Sequence, residues 1–100
     1  MPTRRRAERD PRQELVRVVE RLSLRRQHVR FQDIEKASAH ASSRLPLAEL
    51  STLVEGAVAE SMLLKDLRTF FDRKSGEFSE QWVYRVNPRH PLVAELLTGR

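Results

Sequence analysis

"LLKDLRTFFDRKSGEFSEQWVYRV", residues 63–86, is the stretch on which the fold turns. Two runs rich in aromatic and branched residues flank Ser75-Gly76, a dipeptide suited to a tight turn, so the stretch reads as a β-hairpin. With Ser75-Gly76 as a two-residue turn, Leu67 faces Tyr84, Thr69 faces Trp82 and Lys65 faces Val86. Leu67, Phe71, Trp82, Tyr84 and Val86 then share one face, which is expected to pack on helices. The other face sets Asp66 across from Arg85, Arg68 across from Val83 and Phe70 across from Gln81. An opposite-charge pair on the solvent side supports that register. A longer loop between Asp72 and Ser79 would keep the hairpin with weaker pairing.

Upstream of the hairpin the apolar period changes from two to helical. "DPRQELVRVVERL" opens a first helix, with Asp10 as cap, Pro11 at the first helical position and Gln13 completing a capping box. Leu15, Val18, Val19 and Leu22 form its apolar stripe. "HVRF" alternates Val29 and Phe31 with His28 and Arg30, a short strand signal. Asp33 then starts a second helix whose stripe is Ile34, Ala37 and Ala41. Pro46 breaks the chain at Leu45 and leads a third helix with Leu47, Leu50, Leu53, Val54, Ala57 and Val58 inside. Gly56 lowers its helicity and is expected to admit a close neighbour. After the hairpin, Pro88 and Pro91 turn the chain into a short last helix carrying Leu92, Val93, Leu96 and Leu97.

This order is helix, strand, helix, helix, two-stranded hairpin. It resembles the winged helix-turn-helix superfamily over roughly residues 10 to 88. "VRFQDIEKA" matches the strand entering the second helix, "PLAELSTLVEGAVAES" the third helix, and "LLKDLRTFFDRKSGEFSEQWVYRV" the wing. "LSTLVEGAVAESMLL" looks like the third-helix exit of winged-helix regulators, and "YRVN" like a last wing strand. The expected fold class is mostly α with a small β-hairpin, in the order α-β-α-α-β-β with a short C-terminal helix. Residues 1–9 are expected to be a flexible basic arm and residues 10–100 the winged-helix domain. The resemblance implies binding of double-stranded DNA, with the third helix in the major groove and the wing on backbone or minor groove. Winged helices also serve as protein-interaction modules.

Composition agrees with an anionic partner. The chain has 100 residues, a net charge of +5 and no Cys. Cysteine-based metal sites, thiolate nucleophiles and disulfides are therefore excluded. No apolar run approaches the roughly 18 residues of a membrane span, and no apolar segment follows the basic start. A cytoplasmic protein is expected. Arg outnumbers Lys sixteen to three, which suits bidentate phosphate contacts but also follows from GC-rich coding.

The charge is unevenly spread. Residues 1–30 carry ten basic and four acidic side chains (+6), residues 31–62 two and five (−3), and residues 63–100 seven and five (+2). The third helix holds none of the Arg, Lys, Asn or Gln on which base readout mostly relies. Its carboxylates repel phosphate, which supplies most nonspecific affinity. Two readings follow. In the first, a transcriptional regulator binds duplex DNA through Arg4, Arg5 and Arg6 of the arm and Arg68, Arg73 and Lys74 of the wing. Arg44 assists, with Ser51 and Thr52 of the third helix in reach of phosphates or base edges. In the second, Glu49 and Glu55 make the third helix a docking face for a protein partner, within a larger nucleic-acid machine. A homodimer is expected through the first helix and "PLVAELL".

Catalysis is not expected, nor any cofactor. His28, His40 and His90 have no metal-ligand spacing and suit surface or capping roles. The three glycines form no phosphate loop, and no serine lies in a nucleophile elbow. With Phe71, Trp82 and Tyr84 assigned to the core face, Phe70 and Phe78 are the aromatics left for the surface.

Overall fold

The computed structural model describes residues 11–39 and 47–98. Its elements are α1 (Pro11–Ser23), β1 (Val29–Arg30), α2 (Phe31–Ser38), a 3-10 turn (Leu47–Glu49), α3 (Leu50–Ala59), β2 (Leu63–Asp72), β3 (Glu77–Val86) and α4 (Pro91–Thr98). The strands form one antiparallel sheet in the order β1-β3-β2. The architecture among the described residues is thus a mixed one, four α-helices and a three-stranded sheet. The hairpin, with ten residues per strand, is larger than the small one expected from sequence.

The core gathers the stripes that the helical spacing marked. Leu15, Val18 and Val19 of α1, Ile34 of α2, and Leu50, Val54 and Ala57 of α3 are buried against Val29, Leu63 and Tyr84 of the sheet. Val93 of α4 closes the same cluster, with Leu96 and Leu97 packed at its margin. Each fully buried aliphatic side chain contributes about 1.5–3 kcal/mol relative to exposure. α1 and α4, expected to offer a dimer surface, spend much of their apolar area on one another and on this core.

Local chemistry moves several boundaries. Phe31 opens α2 instead of closing β1, so Asp33 sits in the first turn of α2 and not at its start. From there its buried carboxylate accepts the Arg30 N–H at 3.0 Å and satisfies a donor that the helix leaves orphaned. α3 ends in a Schellman motif: Met62 N–H donates to Ala57 O at 2.9 Å and Ser61 N–H to Val58 O at 3.0 Å. Ser61 takes the left-handed conformation there, φ 63°, where glycine is the usual residue. Asn87 ties this exit to the end of β3, its Nδ2 donating to Ser61 O and its N–H to Met62 O. Gly56 faces open space, so the close neighbour expected there is not present: nothing lies within 4 Å of a Cβ built on it.

The hairpin register is shifted by two residues from the sequence reading. Leu67 pairs with Trp82, Lys65 with Tyr84 and Thr69 with Glu80. The loop is Arg73–Gly76, because Asp72 organises it: Asp72 Oδ1 accepts the Lys74 N–H at 2.9 Å and Asp72 O accepts the Gly76 N–H at 2.7 Å. Gly76 supplies the left-handed residue, φ 72°. A shift of two preserves the faces but changes every partner. Asp66 therefore lies across from Val83, not Arg85, and Arg68 across from Gln81, not Val83.

The core face of the hairpin is also shorter than expected. Leu63, Tyr84 and Val86 pack on the core, but Leu67, Trp82, Phe71 and Phe78 on the same face stay 44%, 48%, 53% and 72% exposed. The ribbon outruns the helical layer, so a face that is core at its base is solvent-facing further along. Phe70 is the opposite case. It was left for the surface, but it is half-buried, with the Arg30 guanidinium 5.2 Å from its ring centroid and the His28 ring edge-on at 5.7 Å.

Candidate nucleic-acid interface

α3 presents Ser51, Thr52, Glu55, Gly56 and Ala59 to solvent, preceded by exposed Ala48 and Glu49. The helix carries no cation. Its acids are engaged within the chain: Glu55 pairs with Lys65 of β2 at 3.1 Å, and Glu60, just past the helix, pairs with Arg12 of α1. Ser51 and Thr52 are thus exposed as expected, but on a face whose neighbours are acidic or neutral.

The hairpin cations separate into two kinds. Arg68 pairs with Asp66, on the same face of its own strand, at 3.1 Å, so much of its charge is answered locally. Arg73 and Lys74 stand exposed on the turn and form no ion pair among the described residues. Lys65, the strand residue that bonds α3, lies eight positions before Arg73, about 27 Å along an extended strand. The structure therefore brings Glu55 to the base of the hairpin and leaves the turn cations far from α3. Arg4, Arg5, Arg6 and Arg44 lie outside the described residues, as does His40.

A second cationic surface was not singled out from the sequence. An open groove of about 700 Å³ runs between the end of α1 and α2, with Val18, Leu22 and Ala37 in its floor. Arg21, Arg25, Arg26 and Lys36 ring it, with Asp33 the acid among them. Asp33 is held by Arg26 and Arg30, at 3.6 and 3.7 Å. Arg21, Arg25 and Lys36 make no ion pair among the described residues and are exposed. The signal was "RLSLRRQ", residues 21–27, but Lys36 joins it only once α2 folds back beside α1.

The histidines are structural where described. His90 Nδ1 accepts the Leu92 N–H at 3.1 Å and so caps α4. Among the described residues no cluster of His, Asp and Glu could hold a metal ion, and no helix is long and apolar enough to cross a membrane. No protein-family model, curated protein or solved structure matches the chain.

Proposed function

We propose that the chain is a winged-helix module that binds duplex DNA through cations lying outside its third helix. The observation that carries this reading is the order helix, strand, helix, helix, hairpin, with β1 paired to β3 so that one sheet runs beside α3. That is the arrangement the superfamily resemblance implies, with β2 and β3 as the wing. The charge supports a polyanion: the net is +5, and unpaired cations ring the α1–α2 groove (Arg21, Arg25, Lys36) and stand on the wing turn (Arg73, Lys74). Phosphate contacts of this kind position a protein on DNA without reading sequence. The role of α3 is then to hold the wing through Glu55 and Lys65. Regulation of transcription by such a cytoplasmic protein, acting with no catalytic chemistry, is the cellular setting we infer.

The test is binding of the full chain to duplex DNA across a series of salt concentrations. A log–log slope of several units is expected, and affinity absent or indifferent to salt refutes the proposal. A protein-docking module is the second reading, favoured by one observation: the apolar face of the wing has no cover among the described residues.

A further inference from the structure

We infer that the exposed apolar face of the wing is the docking surface for a second copy of this chain, the two ribbons lying face to face and antiparallel. Leu67, Trp82, Phe71 and Phe78 form two cross-strand pairs on one face. A two-stranded hairpin is marginal in water unless a third strand or a packed layer supports it, and this stretch of ribbon has neither beside it in the fold. A contiguous exposed apolar patch of this kind marks a contact surface. Polyanion is a poor occupant: the side chains of that face beyond the wing base bring one charge, the Glu80 carboxylate, which repels phosphate.

A second copy fits in two respects. The pair Thr69–Glu80 sits midway between Leu67–Trp82 and Phe71–Phe78. A two-fold rotation about that level lays each apolar pair on the other pair of the partner, which is the self-complementarity a symmetric dimer needs. At roughly 200 Å² per large side chain, the four exposed fractions leave on the order of 430 Å² per copy. Two copies bury about 870 Å² before Thr69 and the turn are counted, close to the ~1,000 Å² that specific interfaces clear. Parallel docking is blocked, because the helices stand on this face at the base of both ribbons.

The surface differs from α1 and α4, where a dimer was expected, and sedimentation velocity of the full chain without DNA separates the two. Over about a hundredfold range of concentration the wild type is expected to shift by mass action to a two-chain species. Phe78→Glu, at a largely exposed position, is expected to weaken association tenfold or more with an unchanged circular-dichroism spectrum. Leu92→Glu on α4 leaves the dimer intact. Glu80→Gln tightens it, because two carboxylates meet near the axis. A wild type that stays a single chain at every concentration overturns the inference. So does a dimer that survives Phe78→Glu and dissociates with Leu92→Glu. If the wild type is a single chain and, in the separate duplex-binding measurement, Phe78→Ala loses DNA affinity, the occupant is nucleic acid and the inference fails. Because the assay contains no DNA, its outcome stands apart from that of the DNA-binding proposal.

Discussion

The Lys65 ammonium lies 4.6 Å from the centroid of the Trp82 ring and bonds Glu55 of α3 at 3.1 Å. One cation therefore stitches α3 to both strands of the hairpin at the point where the ribbon leaves the core. Lys65→Met removes a cation–π contact of about 0.5–1 kcal/mol and a half-exposed ion pair of at most about 1 kcal/mol. A total loss of about 0.5–2 kcal/mol is expected. Urea unfolding followed by fluorescence measures it, and the chain has one Trp, so the signal reports the base of the hairpin.

Asp33 meets both backbone and side-chain partners. It is buried, takes the Arg30 N–H, and faces the guanidinium groups of Arg26 and Arg30. Asp33→Ala is expected to cost about 1–2 kcal/mol, the range of a lost helix cap. Arg26→Ala removes one half-exposed partner and should cost less than half of that. Denaturant midpoints of the two variants, compared at equal slope, check the ranking.

Asp72 explains why the hairpin was legible but its register was not. The alternation of residues 63–86 identifies two strands and fixes which side chains share a face. It cannot distinguish a two-residue turn at Ser75-Gly76 from a four-residue loop, since both preserve parity. The Asp72 side chain decides by accepting the Lys74 N–H, a local bond that competes with the tighter turn. The same limit applies to Phe71 and Trp82. Sequence period shows that they face the helices' side of the sheet, but the reach of the helical layer is a tertiary property. The candidate site was legible as a charge balance, with α3 acidic and its surroundings basic. The groove at Arg21, Arg25 and Lys36 was not, because it needs two helices in register.

Phosphate contacts leave a countable trace. If Arg21, Arg25 and Lys36 each neutralise one DNA phosphate, removing one lowers the log–log salt slope by about 0.9. The triple Ala variant is expected to lose about 2.7 units of slope, and Arg73→Ala with Lys74→Ala about 1.8. The loss should be equal for unrelated duplex sequences. A variant that lowers affinity for one sequence alone would show base readout instead.

Tyr84 is buried beneath the helices, and burial holds its hydroxyl pKa above the ordinary value of 10.0. Lys65 lowers it and Glu55 raises it, both by smaller amounts. The folded chain thus keeps a proton that the unfolded chain releases near pH 10. The stability this represents is intact below about pH 10 and is lost as pH rises from there through the folded value. Tyr84→Phe is expected to flatten the decline of denaturant midpoint on the alkaline side. Lys65→Met should push the titration higher still. The chain has one Tyr, so ultraviolet difference absorbance reads it alone.

Two glycines give opposite expectations for the same substitution. Gly56 lies inside α3 on an exposed face, and a Cβ there meets nothing within 4 Å. Gly56→Ala gains helix propensity and reduces the freedom of the unfolded chain, and should stabilise by about 0.5–1 kcal/mol. Gly76 also has open space around a Cβ, but its φ of 72° is a conformation L side chains seldom adopt. Gly76→Ala forces either that strain, about 1–2 kcal/mol, or a rearranged loop. A rearranged loop would move toward the two-residue turn and re-pair Asp66 with Arg85. The cross-strand contacts in an NMR spectrum distinguish these two outcomes. Retained Leu67–Trp82 contacts with a lowered midpoint mean that the strain is borne, and new Leu67–Tyr84 contacts mean that the register slipped. Either way the pair of variants separates the space available to a side chain from the backbone geometry that must carry it.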